Sequence, residues 1–392
     1  MLKNVTDTVF YVGVDDKDID LFENQYIVPN GIAYNSYVIM DEKIAIMDMV
    51  DAKCADQWFA NVAEVLGDRQ PDYLIISHLE PDHSANLGDV LAKYPDIKIV
   101  SNAKLFRMLP NFFEVPVADR SVTVAEGQTL SLGSHTLQFF MAPMVHWPEV
   151  MVTYEQSEKI LFSADAFGKF GTLDTDEDWA CEARRYYFNI VGKYGMPAQA
   201  LLRKAAGLDI QKICALHGPI LTENLEYYIG KYQLWSTYTP EDEGIFIAYC
   251  SLHGNTEKAA KKLAEILEAK GAPKVAISDL SRDDMAECIE DAFRYDRLVL
   301  AAPTYDGGVM PVMADFINHL KMKAYQKRKV AFIENGSWAP MAAETMKGQM
   351  VAERAQMSAM KDIEIVNEHV TIRSAFKQSD VAALEALAGK LL

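Results

Sequence analysis

The stretch His78-Leu79-Glu80-Pro81-Asp82-His83 constrains this chain more than any other. It follows the apolar run Tyr73-Leu74-Ile75-Ile76, which reads as a short buried strand. Four ligand-type side chains in six residues cannot lie along one line. On a tight turn at a strand end they fan out towards two neighbouring metal ions. Carboxylates mixed with imidazoles, without a thiolate, suit iron, manganese or zinc better than copper(I) or an iron–sulfur cluster. The competing reading is a polar loop with a chance histidine pair, and two histidines flanking both acids argue against it.

Further ligand candidates recur at strand ends. His146 lies in Pro143-Met144-Val145-His146-Trp147-Pro148-Glu149, a turn after Phe139-Phe140-Met141. Asp165 closes the run Ile160-Leu161-Phe162-Ser163, and His217 follows Ile213-Cys214-Ala215-Leu216 before Gly218-Pro219. Taken singly, His146 reads equally as a satisfied core histidine, Asp165 as a helix N-cap and His217 as a turn residue. Asp48, at the end of the 44–47 strand, reads as a partner orienting a ligand histidine or as a plain turn former. His135, His253, His319 and His369 have no ligand-like neighbours and stay outside the metal set.

Early in the chain, 37–40 and 44–47 flank Asp41-Glu42-Lys43 as a hairpin, and short strands recur at 122–124, 130–132, 137–140, 150–154 and 160–163. Helical periodicity marks 55–66, 180–192, 198–206 and 223–237. Locally paired strands with helices outside predict two sheets sandwiched between helices. Residues 238–244, Tyr-Thr-Pro-Glu-Asp-Glu-Gly, read as a linker, and the rhythm then changes. Strands at 245–249, 275–277, 298–302, 330–333 and 363–366 alternate with helices such as 257–270, which predicts a doubly wound parallel sheet of five strands. The expected domains are 1–242 and 243–392.

In the second domain, strand 245–249 runs through Cys250-Ser251-Leu252-His253-Gly254-Asn255-Thr256 into a helix. A hydroxyl- and glycine-bearing loop at a helix N-terminus binds a terminal phosphate through backbone N–H groups. It is neither a Walker loop nor G-x-G-x-x-G, and a capped helix start explains Asn255 and Thr256 as well. Two more loops leave strand C-terminal ends on the same side: Pro303-Thr304-Tyr305-Asp306-Gly307-Gly308 and Asn335-Gly336-Ser337-Trp338. Tyr305 and Trp338 offer aromatic surface to a flat ring, and simple packing is the alternative for each.

The chain carries 38 basic and 56 acidic residues, a formal charge of -18, which disfavours nucleic acid and anionic membranes as partners. No apolar run reaches the roughly 18 residues of a membrane span, and the N-terminus lacks the pattern of a signal peptide. Cys54, Cys181, Cys214, Cys250 and Cys288 are scattered, odd in number and without C-x-x-C, as in a reducing cytoplasm.

The ordered set His78, Glu80, Asp82, His83, His146, Asp165 and His217 resembles the metallo-β-lactamase superfamily, with Glu80 where its hydrolases carry histidine. The form looks like the superfamily's diiron branch. The second domain resembles flavodoxin, with FMN loops at Ser251–Thr256, Thr304–Gly308 and Asn335–Trp338. Together they resemble the flavodiiron proteins, or A-type flavoproteins, in their two-domain class. The resemblance implies an αββα sandwich followed by the flavodoxin-like domain. It places one iron on His78, Glu80 and His146, the other on Asp82, His83 and His217, and Asp165 between them. It implies FMN held by Ser251, His253, Gly254, Asn255, Thr256, Pro303, Thr304, Tyr305, Asp306, Gly307, Gly308, Asn335, Gly336, Ser337 and Trp338.

The same resemblance implies reduction of dioxygen to water, nitric oxide to nitrous oxide, or both. It also implies a head-to-tail homodimer or a dimer of dimers, and an external donor: rubredoxin, a reduced deazaflavin or a reductase. Tyr186, Tyr187 and Trp147 stand as gas-pocket candidates against ordinary packing. The basic run 321–329 reads as a solvated loop at the strand N-terminal end, away from the flavin. The rival readings are a zinc hydrolase fused to a flavodoxin-like domain, and a non-catalytic electron carrier or gas sensor. Glu80 argues against the first, because an added hard, anionic donor favours a higher oxidation state.

Overall fold

The computed structural model describes residues 4–351 and 360–392; Met1–Lys3, where the N-terminal reading begins, lie outside them. The chain divides into two compact units, Met1–Gln233 and Leu234–Leu392.

The first unit stacks two sheets. One runs Val9–Tyr11, Tyr37–Ile39, Ala45–Met47, Tyr73–Ile75, Lys98–Asn102, Ser121–Val124; the other runs Thr129–Ser131, Thr136–Met141, Met151–Glu155, Ile160–Phe162, Lys212–Cys214. The expected hairpin is present, with Tyr37 opposite Met47. Alternation decides which side chains meet between the sheets. Tyr37, Ile39, Ala45, Met47 and Ile75 from one sheet join Leu137, Phe139, Met151, Ile160 and Phe162 from the other in one buried cluster. Val38, Ile46 and Leu74 point the other way and are buried too, so the outer face is also covered. The helix Ala55–Leu66 is tied there by Trp58, whose indole N–H donates to Ser36 Oγ at 3.0 Å.

Register carries the sequence motifs to one rim. Met47 pairs with Ile75, and Phe162 with Cys214, both in parallel. The residues three beyond Ile75, Phe162 and Cys214 are His78, Asp165 and His217, so all leave their sheets at strand C-terminal ends. Asp165 lies in a turn closed by Gly168 N–H to its carbonyl, not at a helix start.

The second unit has the strand order Val275–Asp279, Asp242–Tyr249, Tyr295–Tyr305, Arg328–Asn335, Ile363–Ile365, with every neighbouring pair parallel. This 2-1-3-4-5 order is the doubly wound arrangement, whose switch point faces the ends of the first and third strands. Asp242, read as linker, already belongs to the first strand. The fifth strand is split. Ile363 pairs with Arg328, whereas a second piece, Val370–Ile372, pairs from Ile333 onward with the register moved by two residues.

The basic run holds one correction. Arg328 is not solvated: it is 2% exposed, and its guanidinium donates to the carbonyls of Tyr238 (2.7 Å), Gln326 (2.9 Å) and Phe293. Its planar fork satisfies carbonyls of two loops and of a helix's last turn. Tyr325 beside it is also fully buried. Among the described residues, no helix is long and apolar enough to cross a membrane.

Candidate functional site

The first unit gathers all seven ligand-type residues into two groups, His78, Glu80, His146 and Asp165, and Asp82, His83 and His217. In the first, His146 Nε2 lies 2.9 Å from Glu80 Oε2, and His78 Nε2 lies 3.2 Å from Asp165 Oδ2. In the second, Asp82 Oδ2 lies 3.3 Å from His217 Nε2 and 3.4 Å from His83 Nε2. Asp165 faces both: Oδ2 is 3.4 Å from His146 Nε2, and Oδ1 is 3.8 Å from His217 Nε2.

The donor set has the chemistry of a metal site. His83 Nδ1 donates to Met49 O at 3.2 Å, and His217 Nδ1 donates to Ala33 O at 2.9 Å. With its Nδ1 proton committed, the neutral His83 ring turns a lone pair outward at Nε2. His217 Nε2 stands 3.2 Å from it; burial lowers the His217 ring, but the Asp82 carboxylate outweighs it and raises the ring. A cation between them can take both nitrogens. His78 Nε2 and both carboxylate oxygens of Asp82 and of Asp165 are buried without a hydrogen-bond partner. Orphans of this density are tolerable only where something positive completes them.

The electrostatics agree. Burial pushes His83 down to about 4, keeping its ring neutral. Burial also opposes charge on His78, but the Asp165, Glu80 and Asp82 carboxylates outweigh it and lift the ring to about 10. Burial raises Glu80, yet His146 and His78 outweigh it and hold the carboxylate well below its ordinary range. Three carboxylates among four imidazoles call for several positive charges. Two divalent ions supply them, so the residues present fit a dinuclear centre.

The supports come from neighbouring turns. Asp48, at φ 54°, accepts from Ser77 rather than orienting a histidine directly. Met144 (φ 67°) and Ala164 (φ 51°) likewise hold the left-handed conformation beside His146 and Asp165; such strain gathers at functional loops. The Tyr186 ring is 5.6 Å from that of His217, and the Trp147 ring 6.2 Å from that of His78. Tyr187 turns instead towards Tyr232 and Phe188. A cavity of about 430 Å³ opens onto Glu80 and Asp82 between Phe22, Glu23, Tyr34 and Lys53.

The second unit carries a cavity of about 440 Å³ where the three loops meet. Ser251, His253, Asn255, Thr256, Pro303, Thr304, Asn335, Gly336, Ser337 and Trp338 line it. Gly254, at φ 77°, turns the chain into the helix Asn255–Ala269, whose first N–H groups face a phosphate position. Ser251 Oγ is buried there without a partner. A Cβ on Gly336 would meet Pro340 Cα at 2.9 Å and Thr304 Oγ1 at 3.2 Å, so only glycine lets the backbone form this wall. These features fit FMN.

Tyr305, Asp306, Gly307 and Gly308 lie outside the lining. Tyr305 pairs with Gly308 around Asp306 (φ 47°) and Gly307 (φ 72°), a tight Asp-Gly hairpin turn. Leu252, inside the expected Ser251–Thr256 loop, also lines the cavity, and sequence reasoning missed Ser374 and Ala375, which line it too. Ser374 follows the second piece of the split fifth strand, and Asn335 clamps it: Nδ2 donates to Ser374 O at 3.0 Å, and Oδ1 accepts from Ser374 N–H at 3.1 Å.

Comparison with known proteins follows the same division. Residues 32–218 match the model of the ODP family beta lactamases, and residues 246–367 match a flavodoxin domain. Fold and site thus define a two-domain protein that joins a metal-binding lactamase-like sandwich to a flavodoxin-like domain. In this pairing of domains and in fold the chain is similar to flavodiiron proteins. It is 29% identical over 354 residues to an uncharacterized protein of Methanocaldococcus jannaschii, covering 88% of each chain. It is 26% identical over 367 residues to the anaerobic nitric oxide reductase flavorubredoxin of Escherichia coli, covering 90% of this chain and 76% of that one. The rubredoxin oxygen:oxidoreductase of Desulfovibrio gigas superimposes over 100% of this chain and 98% of its own, with a TM-score of 0.90 at 24% identity. The flavodiiron protein of Giardia intestinalis gives a TM-score of 0.91 at 22% identity, over 100% and 96%.

Proposed function

We propose that this chain is a flavodiiron oxidoreductase that reduces dioxygen to water, nitric oxide to nitrous oxide, or both. The observation that carries the reading is the facing Nε2 atoms of His83 and His217, 3.2 Å apart, beside a carboxylate, Asp165, turned to both ligand groups. His78, Glu80 and His146 would hold one iron, Asp82, His83 and His217 the other, with Asp165 shared. Metal chemistry belongs to residues 1–242 and flavin chemistry to residues 243–392. Two irons held in the first domain would supply the gas-binding and reducing chemistry, and FMN held in the second domain would supply electrons taken from an external donor. The reactions balance as O2 + 4e⁻ + 4H⁺ → 2H2O and 2NO + 2e⁻ + 2H⁺ → N2O + H2O.

The chain's own residues set the conditions. Met49 and Ala33 carbonyls fix which ring nitrogens face the metals. Phe22, Tyr34, Tyr186 and Trp147 pack aromatic rings against His217, His83 and His78, and the cavity beside Phe22 and Tyr34 leaves an approach to Glu80 and Asp82. Ser251, Thr256 and the helix start after Gly254 hold the flavin phosphate. A head-to-tail homodimer, or a dimer of such dimers, brings the flavin of one protomer to the irons of its partner. The donor is a rubredoxin, a reduced deazaflavin or a reductase, and the setting is cytoplasmic.

The test is anaerobic single turnover of the reduced protein, with iron and FMN quantified, against each gas separately. Rapid flavin reoxidation by nitric oxide with nitrous oxide formed marks a nitric oxide reductase. Faster reoxidation by dioxygen, with water and no peroxide, marks an oxygen reductase. Zinc in place of iron, or no turnover with either gas, removes the proposal.

A further inference from the structure

Leu79 stands between two ligands of one metal group, His78 and Glu80. Its two backbone polar groups are both held: the N–H donates to Glu149 Oε1 at 3.0 Å, and the carbonyl accepts from Ser84 Oγ at 2.7 Å. Glu149 lies three residues beyond His146, the third ligand of that group, and is 2% exposed. Its carbonyl is fixed by Asn102 Nδ2 at 2.7 Å, and alongside it Met151 N–H donates to Ser77 O at 2.9 Å. One buried side chain therefore clasps the segment bearing His78 and Glu80 to the segment bearing His146. The other group is held by different means, through the bonds from His83 to Met49 and from His217 to Ala33.

We infer that Glu149 is a positioning residue for the His78–Glu80–His146 metal position alone, setting its affinity separately from the Asp82–His83–His217 position. The inference rests on the diiron reading. A buried carboxylate anchoring a ligand turn through its backbone N–H acts as metal-orienting partners generally do, where loss costs about 10–100-fold in metal affinity. What is particular here is the asymmetry, since all three terminal ligands of one position flank the clasp.

The experiment compares wild type with Glu149→Ala, Glu149→Asp and Glu149→Gln, each carrying FMN. Anaerobic cobalt(II) titration of the metal-depleted proteins, followed by visible ligand-field bands, reports two affinities per chain without any turnover. Wild type binds two ions tightly. Glu149→Gln keeps an acceptor for the Leu79 N–H and retains both within a few-fold. Glu149→Ala removes the acceptor, and Glu149→Asp withdraws it while keeping a carboxyl group. Each keeps one tight site and weakens the other by about 10–100-fold. Adding His217→Ala to Glu149→Asp then abolishes the remaining tight site, whereas adding His146→Ala leaves it. Should Glu149→Ala fail to fold, Glu149→Asp carries the comparison. Two tight sites in Glu149→Asp, or equal weakening of both, overturns the inference while wild type still binds two ions. A wild type that binds fewer than two overturns the diiron reading itself.

Discussion

Asp48 takes two hydrogen bonds of 2.7 Å from Ser77, one from the backbone N–H and one from the hydroxyl. The pair bridges two parallel strand ends, because Asp48 follows Met47 and Ser77 lies two residues beyond its register partner Ile75. Ser77 is fully buried, so its donors have no water to turn to. Asp48→Ala leaves an N–H and a hydroxyl unpaired, which costs about 2–4 kcal/mol of stability. Asp48→Asn keeps one oxygen for the N–H and costs about 1 kcal/mol. Urea unfolding of the metal-free proteins measures both, and equal loss in the two variants would contradict the hydrogen-bond account.

Among the described residues Asp165 is the carboxylate turned to both ligand groups, and its two oxygens are buried without hydrogen-bond partners. Asp165→Ala removes the shared anion and is expected to lower iron to one per chain or fewer and to abolish gas reduction. FMN content stays at the wild-type level, because no cavity residue of the second unit is altered. Metal and flavin analysis on one preparation decides the matter; retained iron with retained turnover rejects the assignment of the bridge.

Gly336 backs onto Pro340 Cα and Thr304 Oγ1 so closely that an added Cβ must displace backbone. Thr304 Oγ1 already accepts from Met341 N–H at 2.9 Å and Ala342 N–H at 3.2 Å, so it cannot simply swing aside. Gly336→Ala therefore shifts the Asn335–Trp338 wall and is expected to weaken FMN binding about tenfold, or about 1.4 kcal/mol. Thr256, 1% exposed, is the second probe, since a bulky residue there fills the phosphate position. Fluorescence titration of the flavin-free protein reads both, and an unchanged Kd in both variants sinks the assignment of the cavity.

Most of the metal centre was legible because its residues mark strand ends that share a register. His78, Asp165 and His217 each stand three residues past a paired strand position, and a reader of apolar runs finds them. Glu149 and the exact role of Asp48 were not legible, since each acts on a backbone N–H that any residue type would present. The flavin loops divide the same way. The phosphate loop and Gly336 carry residue-type signals, whereas Ser374 reaches the cavity only because the fifth strand restarts two residues out of register. Arg328 was misread because charge predicts solvent, and here a buried guanidinium satisfies carbonyls of a turn and of a helix end.

Asp41 and His135 form a pair in the first unit that acid will test. Asp41 Oδ2 accepts from the His135 N–H at 2.7 Å and lies 2.8 Å from its ring Nδ1. Burial raises the Asp41 carboxyl, but these bonds outweigh it and hold it well below the ordinary carboxylate range. A carboxyl depressed in the folded state binds its proton later than in the unfolded chain, whose aspartates titrate near about 3.9. Its stabilisation is complete above that value and is lost as pH falls towards the folded value, at about 1.4 kcal/mol per pH unit. Asp41→Asn lacks this dependence. The gap in Tm between wild type and Asp41→Asn, measured on metal-free protein, is expected to shrink as pH falls below about 4. A gap that persists unchanged at about pH 3 would mean that the pair contributes through shape and not through the charge of Asp41.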